Sequence, residues 1–320
     1  MPKVSIITTT YKHEKFISQT IESIISQTFT DWELLIWDDS PDDNTWNIIK
    51  NYVKKYPNKI RAWHHKPNKW IVDNMNFLIS LASNESKYIA FLEGDDLYTP
   101  DNLEEKLKIF EKYIDVWLVY NNVDFINDNW EITDTNFFDN VSSVFVNEKI
   151  DINNFINWKF FVSYSIMMIN KIILNKINIT NPIKDKLYFA SDSIFFAEVW
   201  YNYKLYWNDK TLTIYRKHKD NLSKRNIKMT MDTLVFVEFL KNKYRLNKIG
   251  YRYNYLKTFV SYLNNNRQKT IYYWLMSFIY NIKNNLFSRF WMLFLSLLPN
   301  KINKSLFNKY RKTVWREQIR

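Results

Sequence analysis

Over residues 1–125, short β-branched runs alternate with amphipathic helical stretches, and this constrains the chain more than any other feature. Consecutive βαβ units of that kind close into a mainly parallel sheet with helices on its faces. Val4 to Thr9 (VSIITT) reads as the first strand, followed by a helix over His13 to Gln27 with Phe16, Ile17, Ile21, Ile24 and Ile25 on one face. A second strand, Glu33 to Trp37, precedes a helix over Thr45 to Tyr56, and a third covers Ile60 to His64. The cycle repeats with a helix over Asn74 to Ala82, a strand over Tyr88 to Leu92 and a helix starting near Thr99-Pro100-Asp101, before Val116 to Tyr120 closes this half. From 126 to 227 the pattern loosens into Asn-rich turns, a strand-like SYSIMMI, a helix-like DSIFFAEVWY and a last strand, TLTIYR. No fixed period recurs, so repeat architectures are excluded.

Charge divides the chain at the same place. Residues 228–320 carry 18 Lys/Arg against 3 Asp/Glu, a net of +15, which leaves 1–227 with 27 against 30, a net of −3. The reading is therefore an α/β domain over 1–227, with halves 1–125 and 126–227, and a basic helical tail over 228–320. Within the tail, Phe290 to Leu298 is too short to span a bilayer but is followed by Lys301, Lys304, Lys309, Arg311 and Lys312. Cationic residues flanking apolar helical faces suit an anionic membrane surface better than nucleic acid or a packed dimer contact. Zero Cys removes thiolate catalysis, iron–sulfur clusters and Cys-ligated zinc. With neither a signal peptide nor a spanning helix indicated, the expected compartment is the cytoplasm, with the tail on the inner face of the cell membrane.

In parallel sheets, ligands bind beyond the carboxyl ends of the strands. Four polar clusters fall there: Thr8-Thr9-Thr10-Tyr11, Asp38-Asp39-Ser40, Glu93-Gly94-Asp95-Asp96 and Tyr215-Arg216-Lys217-His218. Adjacent carboxylates at a strand end suit a hard divalent cation that would neutralise a diphosphate. A single Asp pair is equally a helix cap or a solvated turn, but two pairs at successive strand ends favour the ligand site. His13, His64 and His65 carry no motif and receive no role.

The opening PKVSIITTTYKHEKFISQTIESIISQTFTDWELLIWDDS, with IAFLEGDDLYTPDNLEEKL after it, resembles the family 2 inverting glycosyltransferases of GT-A fold. The resemblance is strong over about 2–125, thinner over 126–222 and absent beyond. It implies that Thr9 and Tyr11 line a nucleotide base and that Asp39 accepts from it, the base being uracil. Asp95 would face the ribose or metal, and Asp96 would ligate Mn2+ or Mg2+ on the diphosphate; the division of labour between Glu93 and Asp95 stays open. ASDSIFFAEVW resembles the helix that presents the family's catalytic base, making Asp192 the base, although Ser191 replaces the first acid of the usual pair. YRKHKDNLS resembles the closing strand and loop, making His218 a third metal ligand or phosphate donor, with Arg216 as the alternative. The implied partners are a nucleotide-sugar donor and a glycan or lipid-linked glycan acceptor in surface-polysaccharide or glycolipid assembly. The rival reading is a catalytically silent homologue that tethers an assembly complex to the membrane.

Departures from the family pattern cluster on glycine. The chain has 2 Gly, where ordinary usage gives roughly 22, and 13 Trp. Trp70 stands where the phosphate-side loop has Gly, and Met75 where it has Arg, which removes one phosphate contact. Trp117 and Trp130 also replace family glycines, the second in a turn of Asn-Gly kind that favours positive φ. Two readings are open for Trp70, Trp117, Trp130 and Trp200: a reassigned UGA codon read as Gly in the source, or genuine Trp with family drift.

Overall fold

The computed structural model describes residues 3–64, 71–135, 162–177, 179, 191–221, 226–245, 253–254, 257, 261 and 268–272, with backbone alone over 226–231. Trp70 and the 290–312 segment lie outside the described residues. The chain forms two compact units, Met1–Ile150 with Phe161–Arg225, and Asp151–Phe160 with Asn226–Arg320.

The first unit is built on a nine-stranded mixed sheet. Its parallel part comprises β1 (Val4–Thr10), β2 (Trp32–Asp38), β3 (Ile60–His64) and β4 (Tyr88–Phe91), in the order β3-β2-β1-β4. Every residue of β1 and β2 is buried, as expected of parallel strands covered on both faces. Register pairs Thr10 with Asp38 and Ile7 with Phe91, so the polar ends of β1, β2 and β4 open on one edge. Helix α1 (Ile17–Ile25) packs Ile17, Ile21 and Ile24 into this core, each fully buried apolar side chain contributing about 1.5–3 kcal/mol. Helices α2 (Asn44–Lys55), α3 (Ile71–Ser80) and α4 (Asn102–Lys112) complete the crossovers. In α4, Glu104 and Glu105 in the first turn and Lys112 in the last complement the helix dipole.

The other strands are β5 (Leu97–Tyr98), β6 (Val116–Asn127), β7 (Ile132–Asp134), β8 (Met167–Asn170) and β9 (Lys204–Lys217). β8 runs antiparallel to both β4 and β6, while β6 and β9 are parallel partners along most of their length. β6 does not stop at Tyr120 as its pattern predicts. Asn121 and Asn122 read as a turn but continue the strand fully buried, because Asn121 Nδ2 donates to Thr213 Oγ1 at 3.1 Å and Asn122 Oδ1 accepts from the Val123 amide at 2.9 Å. β5 pairs antiparallel with Thr213 and Ile214 of β9, which brings the end of β9 beside the loop after β4. The predicted strand SYSIMMI is half strand: Tyr164–Ile166 form a single 3-10 turn ahead of β8. Helix α5 (Ser191–Asn202) follows the expected DSIFFAEVWY segment.

In the second unit, α6 (Asn226–Lys243) buries Val237 and Leu240, and Glu238 meets Lys257 at 3.3 Å. No helix among the described residues is long and apolar enough to cross a membrane.

The tryptophans at glycine-like positions differ in their backbone. Trp130, in the β6–β7 turn, has φ 66° and is 51% exposed. Trp200 lies inside α5, 6% exposed, with its ring edge-on to Phe196 at 5.4 Å. Trp117 sits in β6 against Tyr203 at 5.2 Å. Trp130→Gly is expected to change stability by less than about 1 kcal/mol, since relief of left-handed strain of roughly 1–2 kcal/mol offsets a lost cation–π contact of about 0.5–1 kcal/mol. Trp200→Gly should cost about 3–5 kcal/mol through the cavity alone. Urea unfolding of the two variants tests this, and equal losses would contradict it.

Candidate active site

The edge where β1, β2 and β4 end collects the polar clusters. Gly94 donates its amide to Thr9 O at 3.0 Å, and Thr20 Oγ1 of α1 donates to Asp96 O at 2.9 Å, so the acidic loop after β4 is laced onto β1 and α1. A side chain at Gly94 would place a Cβ 2.6 Å from Thr10 Cβ and 3.0 Å from His13 Nδ1. Glycine is therefore what lets the two loops meet.

Asp95 lies at the centre of the site. His218 Nε2 is 2.9 Å from Asp95 Oδ2, and His13 Nε2 is 3.8 Å from the same oxygen. Burial raises the Asp95 carboxyl, but the charge of His13 and the hydrogen bond and charge of His218 outweigh it and hold the group below the usual range. Asp96 differs. It is fully buried, its Oδ1 accepts the Arg216 amide at 3.0 Å and its Oδ2 accepts the Ser165 hydroxyl at 2.6 Å. Burial and the neighbouring Asp95 charge push it well above the ordinary carboxylate range. Glu93 is pushed up in the same way, by burial and then by Asp95, Asp96 and Asp192.

Arg216, 1% exposed, ties these groups together. Its Nε donates to Asp95 O at 3.0 Å, its Nη2 to Gln19 Oε1 at 2.7 Å, and its guanidinium lies between the rings of Phe16 and Trp130 at 4.8 and 4.6 Å. Asp192 occupies the first turn of α5 and accepts the Ser193 amide at 2.6 Å. Burial pushes its carboxyl up to about 7, in the range that suits a group exchanging protons near neutrality.

On the β2 side, Asp38 Oδ1 accepts from the Ser40 amide at 3.0 Å and from its hydroxyl at 2.5 Å, which makes Asp38 a turn-forming residue. Asp39 is buried and accepts from Asn74 Nδ2 of α3 at 3.0 Å. Thr9 is buried beside it, and Tyr11 is 43% exposed at the mouth of the same edge. Met75 is part of the buried core of α3.

Among the described residues, two sets of side chains could hold a cation, His13 with Asp95 and His218, and Glu93 with Asp95 and Asp96; in each, one ligand atom per residue lies within 4.8 Å of the others. Crowded carboxylates with imidazole nitrogens form a donor set that fits a divalent metal. In the sequence Ser165 carries no signal of a role, and His13 carries only its place just beyond β1.

A model of the family described as "Glycosyl transferase family 2" matches residues 5–177. The chain is 38% identical over 112 residues to EpsE of Bacillus subtilis, named as a glycosyltransferase, covering 35% of this chain and 40% of EpsE. It is 32% identical over 133 residues to the UDP-Glc:alpha-D-GlcNAc-diphosphoundecaprenol beta-1,3-glucosyltransferase WfgD of Escherichia coli, covering 42% of this chain and 47% of WfgD. The matched segments thus span less than half the length of these relatives. Among solved structures, a mannosyltransferase from Pyrobaculum calidifontis in complex with GDP-Man and Mn2+ superposes with TM-score 0.57 at 13% identity, covering 99% of this chain and 85% of that one, a likeness of fold. With its parallel strands, its acidic loop after β4 and a family match over more than half its length, the chain belongs to glycosyl transferase family 2.

Proposed function

We propose that the protein is a metal-dependent inverting glycosyltransferase that moves a sugar from a nucleoside diphosphate, UDP in first place, to a hydroxyl acceptor in surface-polysaccharide or glycolipid assembly. The observation that carries this reading is the convergence of Asp95, His218 and Asp192 with the acidic loop at the carboxyl edge of the sheet. The names of the relatives, which include an undecaprenol-linked glucosyltransferase, support the acceptor class.

In this reading Thr9, Tyr11 and Asp39 line the base. Asp95 with His218 would hold the metal, while both oxygens of Asp96 accept hydrogen bonds within the protein, from the Arg216 amide and the Ser165 hydroxyl. Asp96 then positions Arg216 and the loop. A divalent cation, Mn2+ or Mg2+, would supply charge neutralisation for the leaving diphosphate. Asp192 takes the proton from the acceptor hydroxyl as that oxygen bonds to the anomeric carbon. The bond from that carbon to the diphosphate oxygen breaks with its electron pair on the nucleotide, and configuration inverts. Incubation with UDP-, GDP- and dTDP-sugars in Mn2+ tests the reading: release of nucleoside diphosphate that EDTA abolishes is expected, and no turnover of any donor would count against it.

The departures at Met75 and Ser191 favour a second reading, a silent homologue acting as a membrane-tethered scaffold. In both readings the tail over 228–320 meets anionic membrane at the inner face of the cell membrane. The full chain is expected to co-sediment with anionic vesicles and residues 1–227 are not; equal behaviour would remove the membrane role.

A further inference from the structure

We propose that His13 is a metal ligand, so that His13, Asp95 and His218 form a two-imidazole, one-carboxylate site selecting transition-metal ions over Mg2+. This rests on the metal-dependent reading above and adds to it a residue from the β1–α1 loop.

The geometry is convergent. The Nε2 atoms of His13 and His218 face the same Asp95 oxygen, at 3.8 and 2.9 Å. Ligands held at about 2.0–2.2 Å from one ion stand roughly 3–3.5 Å apart, close to this spacing. A His13 kept only to pair with Asp95 would approach to hydrogen-bonding distance, and 3.8 Å lies beyond it. The imidazoles meet edge to face, with centroids 5.9 Å apart at 88°, and Phe16 lies 4.8 Å from the His218 ring.

The surrounding chain holds His13 in place. Its carbonyl accepts the amides of Phe16 at 2.9 Å and Ile17 at 2.8 Å, fixing the loop at the start of α1. On the other side, Gly94, one of only 2 glycines, allows the acidic loop to reach it. On the His218 side, Asn221 bridges the His218 amide and the Arg216 carbonyl, and its Nδ2 lies 3.4 Å from Asp95 Oδ2. Outer contacts of this kind orient metal ligands. Mg2+ demands oxygen ligands and dehydrates reluctantly, whereas imidazole nitrogen suits later first-row ions, so the donor set favours Co2+ or Zn2+, and then Mn2+, over Mg2+.

Calorimetry with Co2+ alone and with Mg2+ alone tests this on the full chain, without nucleotide. The unmodified protein should bind Co2+ at least about tenfold more tightly than Mg2+, and His13→Gln should lose about tenfold or more in Co2+ affinity while leaving Mg2+ unaffected. If His13→Gln binds Co2+ as before while Asp95→Asn does not, His13 is a bystander and the metal-dependent reading stands. If the unmodified chain binds neither ion, the His13 site falls, while the metal-dependent reading is decided by UDP titration with Mn2+. Nitrogen modulation in pulsed paramagnetic resonance of the Mn2+-loaded unmodified chain requires no variant: two coupled imidazoles support the proposal, and one overturns it.

Discussion

Asp192→Asn is expected to lower kcat by about 10² or more, the contribution of a positioned general base, while raising the melting temperature at pH 8. Both effects follow from burial, which pushes the carboxyl up to about 7. In the proposed mechanism the ionised form is the base, so activity of the parent should rise as pH increases through about 7. For stability the sign is opposite. Between the unfolded carboxyl pKa near 4 and the folded value near 7, the folded protein holds a proton that the unfolded chain releases, so stability falls as pH rises across that window. Asn has no such proton, so the variant's advantage over the parent should open as pH rises from about 4 to 7, stay constant above that and vanish below pH 4. If Asp192 served only to cap α5 through the Ser193 amide, the variant would keep its activity. A pH series of turnover and melting on both proteins separates the two roles.

Asp95→Asn is expected to abolish metal-dependent UDP binding with little change in stability, and Asp96→Asn to lower stability while the folded protein still binds metal and UDP. Asp95 Oδ2 faces two imidazoles, so removing its charge removes the centre of the donor set. Both Asp96 oxygens accept hydrogen bonds inside the protein, from Arg216 and Ser165. An amide there keeps only one of the two acceptor oxygens, so the Ser165 hydroxyl must turn from donor to acceptor or lose its partner, at a cost of about 1–3 kcal/mol. Calorimetry with urea unfolding on the two variants tests this pair. Loss of metal binding in Asp96→Asn with retention in Asp95→Asn would return the metal to Asp96.

These expectations draw unevenly on what could be read from sequence. The parallel strands β1, β2 and β4 are legible because burial on both faces demands the unbroken runs VSIITT, ELLIW and YIAF. The length of β6 is not legible, because Asn121 and Asn122 carry turn chemistry and are kept in the strand by β9, where Thr213 bonds Asn121 from 92 residues away and Thr211 lies in register with Asn122. Two-residue β5 is too short for any periodicity, yet it carries β9 to the acidic loop. Resemblance to the family pointed to Asp95, Asp96, Asp192 and His218 as residues, but not to their division of labour. That division depends on which donors reach which oxygen, and Ser165 and Arg216 come from 69 and 120 residues away. His13 was passed over for a related reason: its meaning comes from Gly94, which lets the loops approach.

In the proposed function this edge binds a nucleoside diphosphate through a divalent cation. Calorimetric titration of UDP into the unmodified chain, with Mn2+ present and then removed by EDTA, tests it most directly. Binding with Mn2+ that disappears on chelation is the expected result. Equal binding in both conditions, or none of UDP, GDP, CDP or dTDP in either, would contradict it.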